Sequence, residues 1–166
     1  MNENPAPKYL TPETGTTHLH THPLASLTHR VVQWARRKSP WILHYNSGGC
    51  NGCDIELLDL LTPRYDVERL GILKEASPRH ADILLCTGPV TRQSRDRMLR
   101  IYEQIPAPKW VVSMGSCSCS GGVFQGGYNI LGGIDQVLPV DMYIFGCPCR
   151  PEAIIDGLAR LLEKIK

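Results

Sequence analysis

Several features that would assign a chain to a particular class are missing from these 166 residues. No apolar run approaches the roughly 18 residues of a membrane-spanning helix. The first thirty residues are polar and lack the hydrophobic core of a secretory signal. Basic residues outnumber acidic ones by only 18 to 16, a net charge of +2. That surplus is too small to grip a phosphate backbone, so nucleic acid is not expected as a partner. A paired cysteine framework is missing as well. Seven is an odd number of cysteines, in a chain long enough to bury a core without covalent staples. Thiolate–metal binding in a reducing compartment is therefore the better reading of the cysteines. What remains is 42% hydrophobic and 20% charged residues, the balance of a soluble globular domain.

Residues 1–39 stand apart. MNENPAPKYLTPETGTTHLHTHPL is rich in Pro, Thr and His and has no hydrophobic period, so it reads as a polar tail or an arm laid over a partner. His18, His20 and His22 alternate within it, which in an extended segment sets them on one face. A metal site is conceivable there, but no carboxylate or thiol lies nearby, and a solvated tail is the expectation. LASLTHRVVQWARRKS then opposes Leu27, Val31, Val32 and Trp34 to Arg30, Arg36, Arg37 and Lys38. That is the pattern of a short basic amphipathic helix, resting on a partner or a lipid surface or serving as an ordinary surface helix.

Residues 40–166 read as one domain of alternating strands and helices. WILHY (41–45), ADILLCT (81–87), WVVSMG (110–115) and MYIFG (142–146) are strand candidates. DIELLDLL (54–61) is helical and ends at Thr62-Pro63. Thr91 caps a helix over 92–105, which the PAP at 106–108 stops, and a last helix opens at Pro151. Strands alternating with helices imply right-handed crossovers and a parallel sheet covered on both faces. In such sheets ligands collect outside the C-terminal ends of the strands.

Three cysteine-bearing stretches follow three of those strands: NSGGCNGC after WILHY, GSCSCSGG after WVVSMG and GCPC after MYIFG. All three are expected at one edge, which favours a single shared metal site. Cys50-Asn51-Gly52-Cys53 is a C-x-x-C pair whose thiolates reach one centre, and its glycines let backbone N–H groups approach sulfur. Alone the pair admits zinc, an iron–sulfur cluster or a redox dithiol. The dithiol leaves the two later cysteine loops unexplained. Cys86, inside ILLCT, is expected in the core.

SGGCNGCDIELLDLLTPRYDVERLGI, SPRHADILLCTGPVT and GSCSCSGGVFQGGYNILGGIDQVLPVDMYIFGCPCRPEAIIDGL together resemble one known family. It is the small subunit of membrane-bound, energy-converting [NiFe] hydrogenases, related to the 20-kDa-type cluster-bearing subunit of respiratory complex I. The resemblance covers about 40–166. It implies an α/β, flavodoxin-like three-layer domain with a mainly parallel sheet and one [4Fe-4S] cluster beside the active site of a larger subunit. Carried over position by position, the implied ligands are Cys50 and Cys53, Cys117 of G-x-C-x-x-S-G-G, and Cys147 of the G-C-P-P-R-P-E-A pattern. The complex I branch has adjacent cysteines in its first loop, whereas C-x-x-C here looks like the hydrogenase branch. Cys119 and Cys149 depart from the family pattern. As members of extended loops they would point the same way as the ligands. They would then tune the cluster by S–H donation, serve as alternative ligands, or pack as small buried residues, packing being the expectation.

The same resemblance implies that the catalytic nickel–iron centre is held by a large subunit and that this chain has no catalytic residue of its own. Electrons would pass between that centre, the cluster here and a ferredoxin-like two-cluster subunit. External ferredoxin would be the redox partner, and membrane subunits would translocate ions. The chain would then lie on the cytoplasmic side of the membrane, in the peripheral part of the complex. Family members carry an acid at the position of Glu56, three residues after Cys53; a proton relay and a favourable charge at a helix N-terminus are its two readings. Arg79, His80 and Arg150 are expected near the cluster edge or the partner face, with His80 not a ligand. Two alternatives stand: the equivalent subunit of a quinone- or F420-linked relative of complex I, and a structural zinc-binding assembly module.

Overall fold

In a computed structural model, residues 30–32, 34–36 and 38–165 are described, and the segment with His18, His20 and His22 lies outside them. The strands of the main sheet are β1 (Trp41–Asn46), β2 (Leu73–Glu75), β3 (Ile83–Thr87), β5 (Trp110–Met114) and β7 (Met142–Ile144). They pair in the order β2-β1-β3-β5-β7, every pair parallel. Counting only these five, the order is 2-1-3-4-5, that of flavodoxin-like sheets. A separate antiparallel pair joins β4 (Val90–Thr91) to β6 (Ile130–Gly132). Helices α1 (Gly52–Asp59), α2 (Arg92–Gln104), α3 (Ser116–Ser120) and α4 (Pro151–Lys164) complete the domain. Among the described residues no helix is long and apolar enough to cross a membrane.

Every residue of β3 is buried, as a central strand covered on both faces requires. Side chains alternate across the sheet and divide the core in two. Ile42, Ile83, Leu85, Val112 and Ile144 meet Leu57 of α1 and Ile154, Leu158 and Leu161 of α4 on one face. Leu43, Leu84, Cys86 and Val111 meet Met98 of α2 together with Ile134 and Leu138 on the other. Cys86 is thus a core residue, and burial pushes its thiol up to about 12.

The structure departs from the sequence reading in four places. Strand β2 is a three-residue, largely exposed edge, too short to carry a periodic signal, and β4 has only two residues. Helix α1 begins at Gly52, so Cys53 lies on its first turn rather than in a loop. GSCSCSGG is not extended either: Cys119 N–H donates to Gly115 O at 3.0 Å and Gly121 N–H to Cys117 O at 2.8 Å, closing a short helix. Cys117 and Cys119 therefore point to different sides, because successive helical residues turn by about 100°. Arg79 and His80 do not approach the cysteine loops. They precede β3, where the His80 ring packs 6.2 Å from that of Trp41 at the start of β1. The cysteine loop leaves the far end of that strand, roughly 20 Å away.

Residues 30–32, 34–36 and 38 are helical, with Val31, Val32 and Trp34 exposed. Arg36 ties this segment to the domain, its Nε 3.2 Å from Asp82 Oδ1 and its Nη1 donating to Ala107 O at 3.3 Å. Asp82 also accepts the Trp41 N–H at 3.1 Å.

At the other end of the sheet, α2 opens on a capping box. Thr91 Oγ1 accepts the Ser94 N–H at 3.1 Å, and Ser94 Oγ accepts the Thr91 N–H at 3.1 Å. Ser94 Oγ also donates to Ser47 O at 2.6 Å, so the cap braces the first cysteine loop. Thr91→Ala is expected to cost about 1 kcal/mol, seen as a lower urea midpoint; an unchanged midpoint would contradict this role of the cap.

Candidate metal centre

Asn46, the last residue of β1, organises the first cysteine segment. Its Oδ1 accepts the N–H groups of Gly48 at 2.8 Å and Gly49 at 2.7 Å. Its Nδ2 donates to Asn51 Oδ1 at 3.1 Å and, closer still, to Asp54 Oδ2. Thr87 Oγ1, at the end of β3, donates to Asp54 Oδ1 at 2.5 Å, and His44 Nε2 lies 3.0 Å from both of those oxygens. Burial holds the His44 ring below its ordinary pKa of 6.5, while Asp54 pulls it the other way. The carboxylate one residue after Cys53 is thus held from two strands at once. Gly88 completes the brace: a Cβ there would fall 2.2 Å from Gly49 N, so only glycine lets the β3 loop close on the cysteine loop.

The second segment leaves β5 through Gly115. A Cβ at this position would lie 2.6 Å from Cys53 Sγ, so the missing side chain is the space that Cys53 fills. In α3, Ser118 is buried, its Oγ 2.6 Å from Ser113 Oγ and donating to Cys86 O at 3.0 Å. That anchor turns Cys117 toward Gly122, where a Cβ would meet its Sγ at 3.0 Å. Cys119 Sγ lies 3.7 Å from Ser113 O and 3.9 Å from Ile144 O. It lines an open cavity of about 380 Å³ with Ser116, Ser120, Asp135, Tyr143 and Phe145.

The third segment follows β7. Gly146 O accepts the Ser116 N–H at 2.9 Å and its Oγ–H at 3.1 Å, joining it to the second segment. Pro148 packs against Gly52 and so joins it to the first. Cys147 is exposed and Cys149 fully buried.

The four thiols that the family pattern singles out come together here. Burial pushes the Cys117 thiol up, and the neighbouring Cys147, Cys50 and Cys53 add to the rise by charge repulsion. The Cys53 thiol moves down and that of its neighbour Cys149 moves up, as for two adjoining thiols that do not both ionise. Glu56 is half-buried on α1, near enough for its charge to oppose ionisation of Cys53. Arg150 is exposed just after the third segment.

Among the described residues, no three His, Cys, Asp or Glu side chains close around one point as ligands of a single ion would. A four-iron cubane is wider than an ion and suits thiols set farther apart. Four cysteines, three of them with glycine backbone beside their sulfurs, are the donor chemistry of such a cluster.

Sequence reading missed the network of Asn46, His44 and Thr87. Asn before Gly-Gly is a turn signal for a side chain that binds nearby N–H groups. His44 and Thr87 have no local signal, since they meet Asp54 through the pairing of β1 with β3. Asn46→Ala strands two loop N–H groups and is expected to cost about 1–3 kcal/mol, with faster hydrogen exchange at Gly48 and Gly49. Exchange at the wild-type rate would contradict this account of the loop.

Known proteins share both this sequence pattern and this fold. The family described as NADH ubiquinone oxidoreductase, 20 Kd subunit, matches residues 50–161, a span that includes all four thiols. A probable membrane-bound hydrogenase subunit of Pyrococcus furiosus is 53% identical over 141 residues, covering 84% of each chain. A subunit of the F(420)H(2) dehydrogenase of Methanosarcina mazei is 39% identical over 153 residues, covering 92% of this chain and 82% of its own. Among solved structures, a chain of the membrane-bound sulfane sulfur reductase, an archaeal respiratory membrane complex, superposes with a TM-score of 0.72 at 45% identity. That match covers 81% of this chain and 75% of the other. The chain belongs to the 20-kDa subunit family shared by NADH–quinone oxidoreductases and membrane-bound hydrogenases, whose members are subunits of oxidoreductase complexes.

Proposed function

We propose that the protein is the electron-transfer small subunit of a membrane-bound [NiFe] hydrogenase complex. In this reading it holds one [4Fe-4S] cluster on Cys50, Cys53, Cys117 and Cys147. The observation that carries the proposal is the convergence of these four thiols, from three separate segments, at one edge of the sheet. Such a cluster, when bound, supplies a one-electron donor and acceptor.

The chain's own residues have three tasks in this account. The four thiolates bind. Backbone N–H groups of the loops beside the sulfurs would stabilise negative charge there. Gly115 and Gly122 admit backbone where any side chain would keep the sulfurs apart. Glu56, close to Cys53 and half-buried, would be the chain's own group for moving a proton to or from the partner face.

Val123, Phe124, Tyr128 and Phe145 are exposed beside the second and third segments, and Ile55 and Leu58 are exposed on α1. Apolar side chains around a thiol site fit burial against a large subunit. That subunit would hold the nickel–iron centre, because this chain has no second set of C-x-x-C pairs to bind it. A ferredoxin-like two-cluster subunit, external ferredoxin and membrane ion-translocating subunits complete the proposed complex. The domain would sit peripherally on the cytoplasmic side of the membrane. The spacing of Cys50 and Cys53 and the likeness to the Pyrococcus furiosus subunit favour hydrogen over quinone, F420 or sulfur chemistry. Two C-x-x-C pairs in the large subunit would support the choice, and their absence would transfer the same cluster subunit to one of the other chemistries.

In the purified complex, Cys117→Ser and Cys147→Ser are each expected to abolish the low-temperature EPR signal of the reduced cluster, while Cys119→Ser retains it with four irons. Retention in Cys117→Ser with loss in Cys119→Ser would overturn the ligand assignment. Zinc without acid-labile sulfide in the wild type would establish the structural zinc module instead.

A further inference from the structure

The two faces of the sheet are covered unevenly at one corner. Strand β7 lies at the sheet edge, and side chains alternate along it. Ile144 belongs to the core shared with α4, so Tyr143 and Phe145 on either side of it share the opposite face. The core on that opposite face, which includes Met98 of α2, contains no residue of β7. The corner is instead the open cavity of about 380 Å³ beside α3.

Its walls have a distinct chemistry. The rings of Tyr143 and Phe145 are stacked, with centroids 6.4 Å apart and planes 8° from parallel, and Phe145 is 72% exposed. Asp135 joins them from the single turn Ile134–Gln136, which the fully buried Ile134 anchors. Ser116 and Ser120 also line the cavity, but their hydroxyls already donate to the carbonyls of Gly146 and Ser116. No Lys, Arg or His lines it, and among the described residues Asp135 enters no ion pair. The cavity thus presents one uncompensated negative charge beside two exposed aromatic rings.

A diffusible ligand is held by enclosure on most sides, which an open cavity does not provide. A protein surface laid over the cavity supplies the missing wall. The complementary group is a cation that binds an aromatic face and a carboxylate together. A guanidinium does both, because it is planar, stacks on rings and pairs with a carboxylate through two N–H groups. An ammonium brings the charge without the plane. Arginine is also enriched among the side chains that anchor protein interfaces in pockets.

We propose that the cavity beside α3 is a docking pocket for an arginine side chain of a neighbouring subunit, which pairs with Asp135 and stacks on Tyr143 and Phe145. Charge complementarity selects this occupant. The inference rests on the chain's membership of a family of oxidoreductase-complex subunits and not on the choice of hydrogen chemistry.

In the purified complex, Phe145→p-benzoylphenylalanine is expected on illumination to cross-link to another subunit, in a peptide that contains arginine. Asp135→Arg is expected to release that subunit at lower salt than the wild type, whereas Asp135→Glu retains it. Replacing the arginine of the cross-linked peptide by Asp, together with Asp135→Arg, is expected to restore retention. Wild-type salt resistance of Asp135→Arg overturns the pairing. A cross-link to a peptide without arginine, to a second copy of this chain or to its own residues 1–29 overturns the occupant, and no cross-link at all overturns the docking. Should Asp135→Arg alone fail to assemble, the charge swap decides: assembly regained supports the pairing, and assembly still lost overturns it.

Discussion

One directional constraint governs this molecule: β1, β5 and β7 run parallel, so the segments that follow them all leave the same edge of the sheet. An antiparallel neighbour would have sent one cysteine segment to the opposite edge. Parallel pairing in turn needs crossovers on both faces, which α1 and α4 supply on one side and α2 on the other. The two cores therefore do more than stabilise the domain. They fix the direction of the three strands, and the strands gather the thiols.

Convergence of direction alone leaves the sulfurs several ångströms from where they are needed, and the remaining distance is closed by residues that remove atoms or bind N–H groups. Gly88, Gly115 and Gly122 each stand where a Cβ would strike a neighbouring backbone or sulfur. Asn46 and Asp54 do the complementary work: each joins strand end, loop and helix start through its side chain. The first cysteine loop is thus tied by side-chain hydrogen bonds to the ends of β1 and β3 and the start of α1. Preorganisation of this kind suits electron transfer, where the site has to change little between its two charge states.

Much of this was legible in the sequence because it rests on local pattern. The buried runs of β1, β3 and β5, the cap at Thr91 and the stop at Pro106 are each written in a few adjacent residues. The spacing of the cysteines against those runs pointed to a single edge. What escaped depends on distant residues or on very short elements. Strand β2 has three residues and an exposed face, so no period distinguishes it from a loop. The helical turn at 116–120 is stabilised by the buried hydroxyl of Ser118 reaching Ser113 and Cys86, contacts that no propensity encodes. That turn separates Cys119 from Cys117. His80 was displaced for a similar reason, because its place depends on which end of β3 it precedes, and it precedes the end away from the thiols.

Under the proposed ligand set four of the six clustered cysteines bind, while Cys149 is buried beneath them and Cys119 lines the cavity beside α3. The central claim is the single cluster. Native mass spectrometry of the anaerobically purified protein tests that claim most directly. The predicted result is one population whose mass exceeds that of the polypeptide by four irons and four sulfides. A mass increment of a single zinc ion, or a bare chain from iron-replete anaerobic cells, would contradict it.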